Sequence, residues 1–298
     1  MRAALLAWFD RDGRALAFRF ERDPDPWAVL VSEVMAQQTQ VARVVEKWRA
    51  FMDRYPTPAV LAAAPTGHVI RAWQGLGYNR RAIDLQRAAR AIVLAGGNVP
   101  QDVDSLQALP GVGPYTARAV AAIAFGRPVG AVDVNVRRVL GRLIAADPAP
   151  LPGGEVQAAA DALVDPARSG DWTHALMDLG ATVCRASRPA CDGCPVRAWC
   201  ASAGVAERPP MPTPTNEAAL NAAPGRRGRV PFEATTRWLR GRIVDRLCSV
   251  RPGTSVTFDG ALGLHAAEAV SAALASLAAD GLVELDAAGA ARLAGEHA

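Results

Sequence analysis

The chain has 298 residues, half of them hydrophobic, with a formal net charge of +4 and a pI of about 9.0. That length suits one large domain or two ordinary ones, and no run of about 18 apolar residues marks a membrane span. The mildly basic balance permits a nucleic-acid partner without requiring one, and it is carried almost wholly by arginine, Lys47 being the only lysine among 33 basic residues.

Met1 to Trp8 has one arginine and no long apolar run, so no secretory leader is read there and a reducing cytoplasm is expected. Helical periodicity then dominates from Ala28 to about Cys200. Breaks at Tyr55-Pro56-Thr57-Pro58, Gly96-Gly97, Leu109-Pro110-Gly111, Asp147-Pro148 to Gly154 and Ser169-Gly170 cut it into roughly ten helices. Within the first apolar helix, Leu30-Val31-Ser32-Glu33-Val34-Met35, stands Glu33. A carboxylate in such a run is costly unless hydrogen-bonded or tuned. The segment Leu109-Pro110-Gly111-Val112-Gly113-Pro114-Tyr115-Thr116 reads as a glycine-rich hairpin between two helices. Its glycines allow a close backbone approach, and the amides of the following helix start favour an anion such as a DNA phosphate. A plain helix corner is the alternative. Twenty residues past Gly113, Asp133 heads the apolar-periodic run Val134-Asn135-Val136, where a helix cap is the simplest role.

Four of the five cysteines follow as Cys184-x6-Cys191-x2-Cys194-x5-Cys200, with Cys248 far away. In a reduced compartment such clustering points to an inorganic centre rather than disulfides. Structural zinc sites usually show two short knuckles. Here only Cys191 and Cys194 form one, and the uneven spacing favours an iron–sulfur cluster over zinc. Beyond Cys200 the texture changes. Residues 206–230 are proline-rich and read as a linker. Helices over Arg237–Val250 and Ala266–Ala279, then a strand-like Gly281–Leu285, suggest a small winged-helix-like module over 231–298. Its start is arginine-dense at Arg226, Arg227, Arg229, Arg237, Arg240 and Arg242, which suits either a DNA-contacting or a solvated face.

Taken in order, Ser32-Glu33-Val34-Met35-Ala36-Gln37-Gln38-Thr39, Gly75-Leu76-Gly77-Tyr78, the hairpin, Asp133 with Asn135, Met177-Asp178-Leu179-Gly180-Ala181 and the cysteine loop resemble the MutY-type adenine DNA glycosylases. These belong to the helix-hairpin-helix glycosylases with a [4Fe–4S] loop. The resemblance covers about residues 1–205. It implies an all-α, two-lobed fold, with a six-helix lobe over about 23–129 and an iron–sulfur lobe made of 1–22 and 130–205. The active site would lie between the lobes, where Glu33 and Asp133 meet.

The resemblance also implies roles. Glu33 would be the general acid that protonates the departing adenine, kept protonated by an apolar pocket. Asp133 would stabilise charge developing on the sugar, and Asn135 would orient the carboxylates. Gln37, Gln38, Thr39, Tyr78, Gly111, Val112, Gly113 and Tyr115 would meet DNA, with Gln38 and Tyr78 as wedges and the hairpin amides on a phosphate. Cys184, Cys191, Cys194 and Cys200 would hold a [4Fe–4S] cluster, with Arg185, Arg188 and Arg197 beside it near phosphates.

The implied partner is double-stranded DNA carrying adenine opposite 8-oxoguanine or guanine. The implied protein is a cytoplasmic, nucleoid-associated monomer with no membrane association. Bifunctional relatives place a Schiff-base lysine two residues after the last hairpin glycine. Tyr115 stands there, so a monofunctional enzyme is expected. The chain departs from the family pattern at Leu16-Ala17-Phe18-Arg19, at Ala36 and at Tyr78-Asn79. Residues 231–298 are also too short for the usual Nudix-like domain that reads 8-oxoguanine. Two other readings stay open, a mismatch glycosylase for thymine or uracil opposite guanine and a non-catalytic iron–sulfur DNA-binding regulator.

Overall fold

The computed structural model describes residues 1–19, 24–145, 151–203 and 230–297. The expected linker, save Val230, lies outside these residues, as do Arg226, Arg227 and Arg229 and the turn at Asp147-Pro148.

Helices account for nearly all the regular structure. In chain order they are α1 (Arg2–Asp12), α2 (Pro26–Ala36), α3 (Val41–Arg54), α4 (Pro58–Ala63), α5 (Thr66–Trp73), α6 (Arg80–Leu94), α7 (Val103–Gln107), α8 (Pro114–Phe125), α9 (Val134–Ile144), α10 (Gly153–Leu163), α11 (Ser169–Asp178), α12 (Thr236–Ser249) and α13 (Ala267–Ala279). A short antiparallel pair, β1 (Val283–Leu285) and β2 (Ala291–Leu293), closes the chain, with Val283 opposite Leu293 and Val256 bridging to Ala291. The boundaries follow local chemistry. Thr57 caps α4 by accepting from Val60 N at 3.3 Å, and Pro58 occupies its first turn, where the missing N–H does no harm. Gly126, at φ 63°, ends α8 in the left-handed conformation that glycine takes without strain. Ser169-Gly170 opens α11, and Gly170 allows that helix to approach the backbone of Ile123, which a Cβ would meet at 3.2 Å.

Packing divides the chain into two units. The first comprises Met1–Leu30, Gln101–Ala108 and Val112–Pro224; the second comprises Val31–Pro100, Leu109–Gly111 and Gly225–Ala298. The core of the first joins Leu5, Leu6 and Trp8 of α1 to Val136, Val139, Leu140 and Leu143 of α9, together with Trp172 and Leu176 of α11. Cys184, Cys194 and Cys200 pack against this same core. In the second unit, Leu239, Ile243, Val244 and Leu247 of α12 and Val270, Leu274 and Leu277 of α13 share a core with Ile70 and Ile83 of α5 and α6. Arg71 of α5 ties the C-terminal residues down. It makes a bidentate pair with buried Glu296 at 2.7 and 2.9 Å and donates to the carbonyls of Cys248 and Val250. Among the described residues no helix is long and apolar enough to cross a membrane.

Among the described residues the most buried ionic knot of the first unit is at Asp178, at the end of α11. Arg19 grips its carboxylate through both Nη atoms, at 2.6 and 2.7 Å. Arg14 adds Nε at 2.7 Å and its backbone N at 2.8 Å. Asp178 is 1 % exposed and Arg19 11 %. Burial alone would raise the Asp178 pKa, but the donors from Arg19 and Arg14 outweigh it and hold it below the ordinary carboxylate value. The knot therefore stabilises the fold above the unfolded-state pKa of about 3.9. That stability is lost as pH falls through the lower folded value. Removing one partner of a buried pair leaves charge uncompensated, so Asp178→Asn should destabilise by about 3–5 kcal/mol at neutral pH. The gap from wild type should close toward acid. Urea titrations across pH measure both, and a pH-independent difference would reject the carboxylate as its source.

Candidate active site

Glu33 lies in the second unit, on the last turns of α2, where it is 6 % exposed beside Leu30, Val31, Val34 and Met35, all buried. What fixes this stretch is Arg81 of α6. Its Nη1 donates to the carbonyls of Val34 and Met35 at 2.8 and 2.9 Å, so it satisfies acceptors that a helix end leaves without intrahelical partners. Its Nη2 donates to Thr39 Oγ1 at 2.8 Å and to the carbonyls of Leu76 and Gly77 at 3.2 and 3.1 Å. One guanidinium thus joins α2, the Gln37–Thr39 turn and the Gly75–Tyr78 loop. Burial pushes its pKa down to about 10, which leaves it charged at neutral pH.

Both loops carry backbone strain. Among the described residues only Gln38, Tyr78 and Arg188 are non-glycine positions at positive φ, at 53°, 47° and 50°. Left-handed conformations of this kind disfavour side chains and persist where the surroundings impose them. Two of the three are the residues for which the family resemblance implies a wedge. Gln37 Nε2 donates to Gly111 O at 3.4 Å, so the expected Gln37, Thr39 and Gly111 belong to one neighbourhood. Gly111 has φ 76°, and a Cβ there would fall 2.7 Å from Cβ of Asp84. The position therefore demands glycine on two counts.

Val112, Gly113 and Tyr115 lie in the first unit. Val112 is buried, Gly113 precedes α8 as its N-cap with open space where a Cβ would stand, and Tyr115 Oη lies 3.7 Å from Met177 Sδ. Asp133 caps α9, accepting from Val136 N at 2.6 Å and from Asn135 Nδ2 at 3.1 Å. Asn135 Oδ1 accepts from Arg138 Nη2 at 2.8 Å, and Arg138 also donates to Gly180 O at 2.6 Å and to Cys184 O at 2.8 Å. A hydrogen-bonded chain therefore runs from Asp133 through Asn135 and Arg138 to the cysteine loop. Gly180 makes room for it, since a Cβ there would sit 2.7 Å from Cβ of Asn135.

Arg142, one turn on, completes the anchorage. It donates to the carbonyls of Arg185 and Ala186 at 2.7 and 3.1 Å and approaches Cys184 Sγ at 3.4 Å. Ser202 returns from the far end of the loop to Arg142 O at 2.6 Å. All four loop cysteines are free thiols. Among the described residues no three His, Cys, Asp or Glu side chains converge as they would on a single ion. The four sulfurs are nonetheless near one another. Burial raises the Cys194 pKa, and the neighbouring Cys184, Cys200 and Cys191 raise it further. Four neighbouring thiols set wider than a mononuclear site fit a multi-iron cluster, in which each cysteine serves its own iron. Arg185, Arg188 and Arg197 are exposed, and Arg197 pairs with Asp192 at 2.8 Å.

Residues 31–165 match the model of the HhH-GPD superfamily of base excision DNA repair proteins. The adenine DNA glycosylase of Mycobacterium tuberculosis is 41 % identical over 287 residues, covering 94 % of this chain and 88 % of that protein. The chain belongs to this family of adenine DNA glycosylases. The human adenine DNA glycosylase is 47 % identical over 210 residues, covering 67 % of this chain but only 38 % of its own length. Among solved structures, a thermostable thymine-DNA glycosylase aligns with a TM-score of 0.62 at 27 % identity, over 67 % of this chain and 94 % of that one. The mostly helical glycosylase fold expected from the motifs is therefore the observed one.

Sequence pattern singles out neither Arg81 nor the Arg138–Arg142 pair. The spacing of Arg138 and Arg142, one turn apart among the otherwise apolar buried positions Val136, Val139, Leu140 and Leu143 of the helix, is the signal that could have found the pair. Replacing Arg81 by Met should strand several buried carbonyls, with a loss of about 1–3 kcal/mol, and should slow base release by loosening the segment that carries Glu33. Unfolding curves alongside single-turnover assays measure the two effects. An Arg81→Met protein indistinguishable from wild type in both would refute the role given to that side chain.

Proposed function

We propose that the chain hydrolyses the N-glycosidic bond of adenine mispaired with 8-oxoguanine or guanine in double-stranded DNA, as a monofunctional monomer. The observation that carries this reading is the contrast between two carboxylates. Glu33 is buried in an apolar helix, which disfavours a charged side chain. Asp133 accepts from two N–H groups at a helix start, an environment that suits a carboxylate anion. Two carboxyl groups in different environments are how acid and charge-stabilising roles are divided.

In this reading Glu33 gives its proton to a ring nitrogen of adenine, at N7. The bond from C1′ to N9 breaks, its electron pair leaves with the neutral base, and positive charge develops on the sugar. Asp133 stabilises that charge, held in place by Asn135 and, through it, Arg138. Water adds to C1′ and returns a proton to the Glu33 carboxylate, leaving an abasic site. Gln38 and Tyr78 enter the duplex and offset part of the flipping cost, which is a few kcal/mol. The hairpin amides of Gly111, Val112 and Gly113 hold a phosphate. A phenol forms no Schiff base, so Tyr115 gives no strand cleavage. Lys47, beside Gly75, occupies no nucleophile position. The adenine DNA glycosylases are the more similar relatives, at 41–47 % identity against 27 % for the thymine-DNA glycosylase structure, and nothing favours a thymine or uracil enzyme or a non-catalytic regulator.

Cys184, Cys191, Cys194 and Cys200 would hold a [4Fe–4S] cluster, which when bound cross-links the loop and supplies no group to bond cleavage. This chain's own part is the Arg138 and Arg142 framework, which ties that loop to the helix that Asp133 caps. Protein purified without air should be brown, with iron and sulfide in equal amounts. Cys194→Ser should lose both, while a colourless wild type binding one zinc would overturn the assignment.

On a duplex carrying adenine opposite 8-oxoguanine, Glu33→Gln should slow release by about 10²–10⁴-fold with duplex affinity retained. The product of the wild type should break only after alkali. Undiminished release by Glu33→Gln would refute the acid role, and strand cleavage before alkali would refute the monofunctional reading.

A further inference from the structure

Within the second unit a groove of about 960 Å³ runs between the two strained loops and the C-terminal helix α12. Gln38 and Tyr78 line one side, and Phe232, Arg237 and Arg242 line the other. Six arginines face it against three aspartates, a net positive channel. Most of these charges are spoken for. Arg240 pairs with Asp280 at 2.5 Å, Arg80 reaches Asp280 at 3.2 Å, and Arg242 pairs with Asp245. Arg43 and Arg237 are exposed and make no ion pair among the described residues.

Arg237 instead lies over the ring of Tyr78, its guanidinium carbon 4.0 Å from the centroid, with Phe232 at 5.8 Å. Arg81 approaches the same tyrosine at 5.6 Å. Tyr78 is thus held at φ 47° with cations against it and its side chain 38 % exposed. Strain, an exposed ring and uncompensated guanidinium charge coincide in one channel. A planar cation stacked on an aromatic ring, beside further unpaired positive charge, is what a polyanion with flat bases would meet. A neutral or acidic peptide would leave the strain and the stack without purpose.

We propose that this groove binds a strand of duplex DNA, with Arg43 and Arg237 on its phosphates and Arg237 also holding Tyr78 in its strained conformation. The C-terminal segment then belongs to the DNA-binding surface, and Arg237 is a positioning residue for Tyr78. This rests on the reading of the chain as an enzyme acting on duplex DNA.

The test uses the full-length protein and a fluorescent duplex containing adenine opposite 8-oxoguanine. Its affinity is measured by anisotropy over a salt series, and adenine release is followed on the same duplex. Each arginine–phosphate pairing removed lowers the slope of log affinity against log salt by about 0.9. Arg43→Ala/Arg237→Ala should therefore flatten the slope by about 2, and Arg237→Ala, an exposed side chain, by about 1. Arg237→Lys should keep the slope but release adenine more slowly at saturating enzyme, because the charge stays and the planar stack is lost. Arg251→Ala removes an exposed charge that does not line the groove and should change neither. Unchanged slopes in the Arg237→Ala proteins would overturn the proposal, and so would an equal loss in Arg251→Ala. Wild-type protein that releases no adenine, yet whose binding still depends on Arg237, would refute the enzymatic reading and leave the groove standing.

Discussion

A guanidinium taken out of water is costly unless the protein supplies acceptors for most of its donors. This requirement organises both units. Arg81 and Arg142 find acceptors through both Nη groups and leave only Nε without one among the described residues. Arg81 gathers the carbonyls of Val34, Met35, Leu76 and Gly77, and Arg71 those of Cys248 and Val250. Arg138 takes those of Gly180 and Cys184, and Arg142 those of Arg185 and Ala186. In each case the acceptors are backbone groups of irregular segments or helix ends, which lack a full hydrogen-bonded ladder of their own. The planar fork reaches two or more such groups at fixed angles, and an ammonium would not hold them in the same geometry. A chain with one lysine is therefore suited to fixing loops, and the loops it fixes carry the expected DNA-facing and cluster-holding residues.

Much of the architecture was legible because it is local. The breaks at Pro56–Pro58, Gly96-Gly97 and Pro110-Gly111 each mark a helix end, and α12, α13 and β1 fall within a residue or two of the expected spans. Asp133 as a helix cap and Glu33 as a buried carboxylate in an apolar helix also follow from pattern alone. The long-range partners did not. Asp178 is visible in the Met177–Ala181 run, but nothing nearby says that it closes on Arg14 and Arg19, more than 150 residues upstream. Arg19, at the end of the departing Leu16-Ala17-Phe18-Arg19 segment, supplies that anchor. Tyr78 carried a signal of its own in the flanking glycines. Arg81 of α6 and Arg237 of α12 lie against its ring, and no local pattern contains those contacts.

The cysteine loop is expected to hold a cofactor and Asp133 to act in bond cleavage, yet the two share a helix. Asp133 caps the start of α9, Arg138 and Arg142 extend from its middle to the loop, and Ser202 ties the loop's end to its last turn. Whatever steadies the loop steadies the helix, and the helix start sets where Asp133 points. Under the proposed function, a centre held by the loop would bear on the chemistry through three side chains.

Gly180 adds a constraint of another kind. It sits against Asn135, and no Cβ fits between them. The two positions constrain each other sterically. A side chain at 180 would meet Cβ of Asn135, a contact that only glycine at 135 would remove, and losing the Asn135 amide would release Arg138 and one donor to Asp133. Drift at either site is therefore coupled to the other, and the easiest evolutionary path is for neither to change.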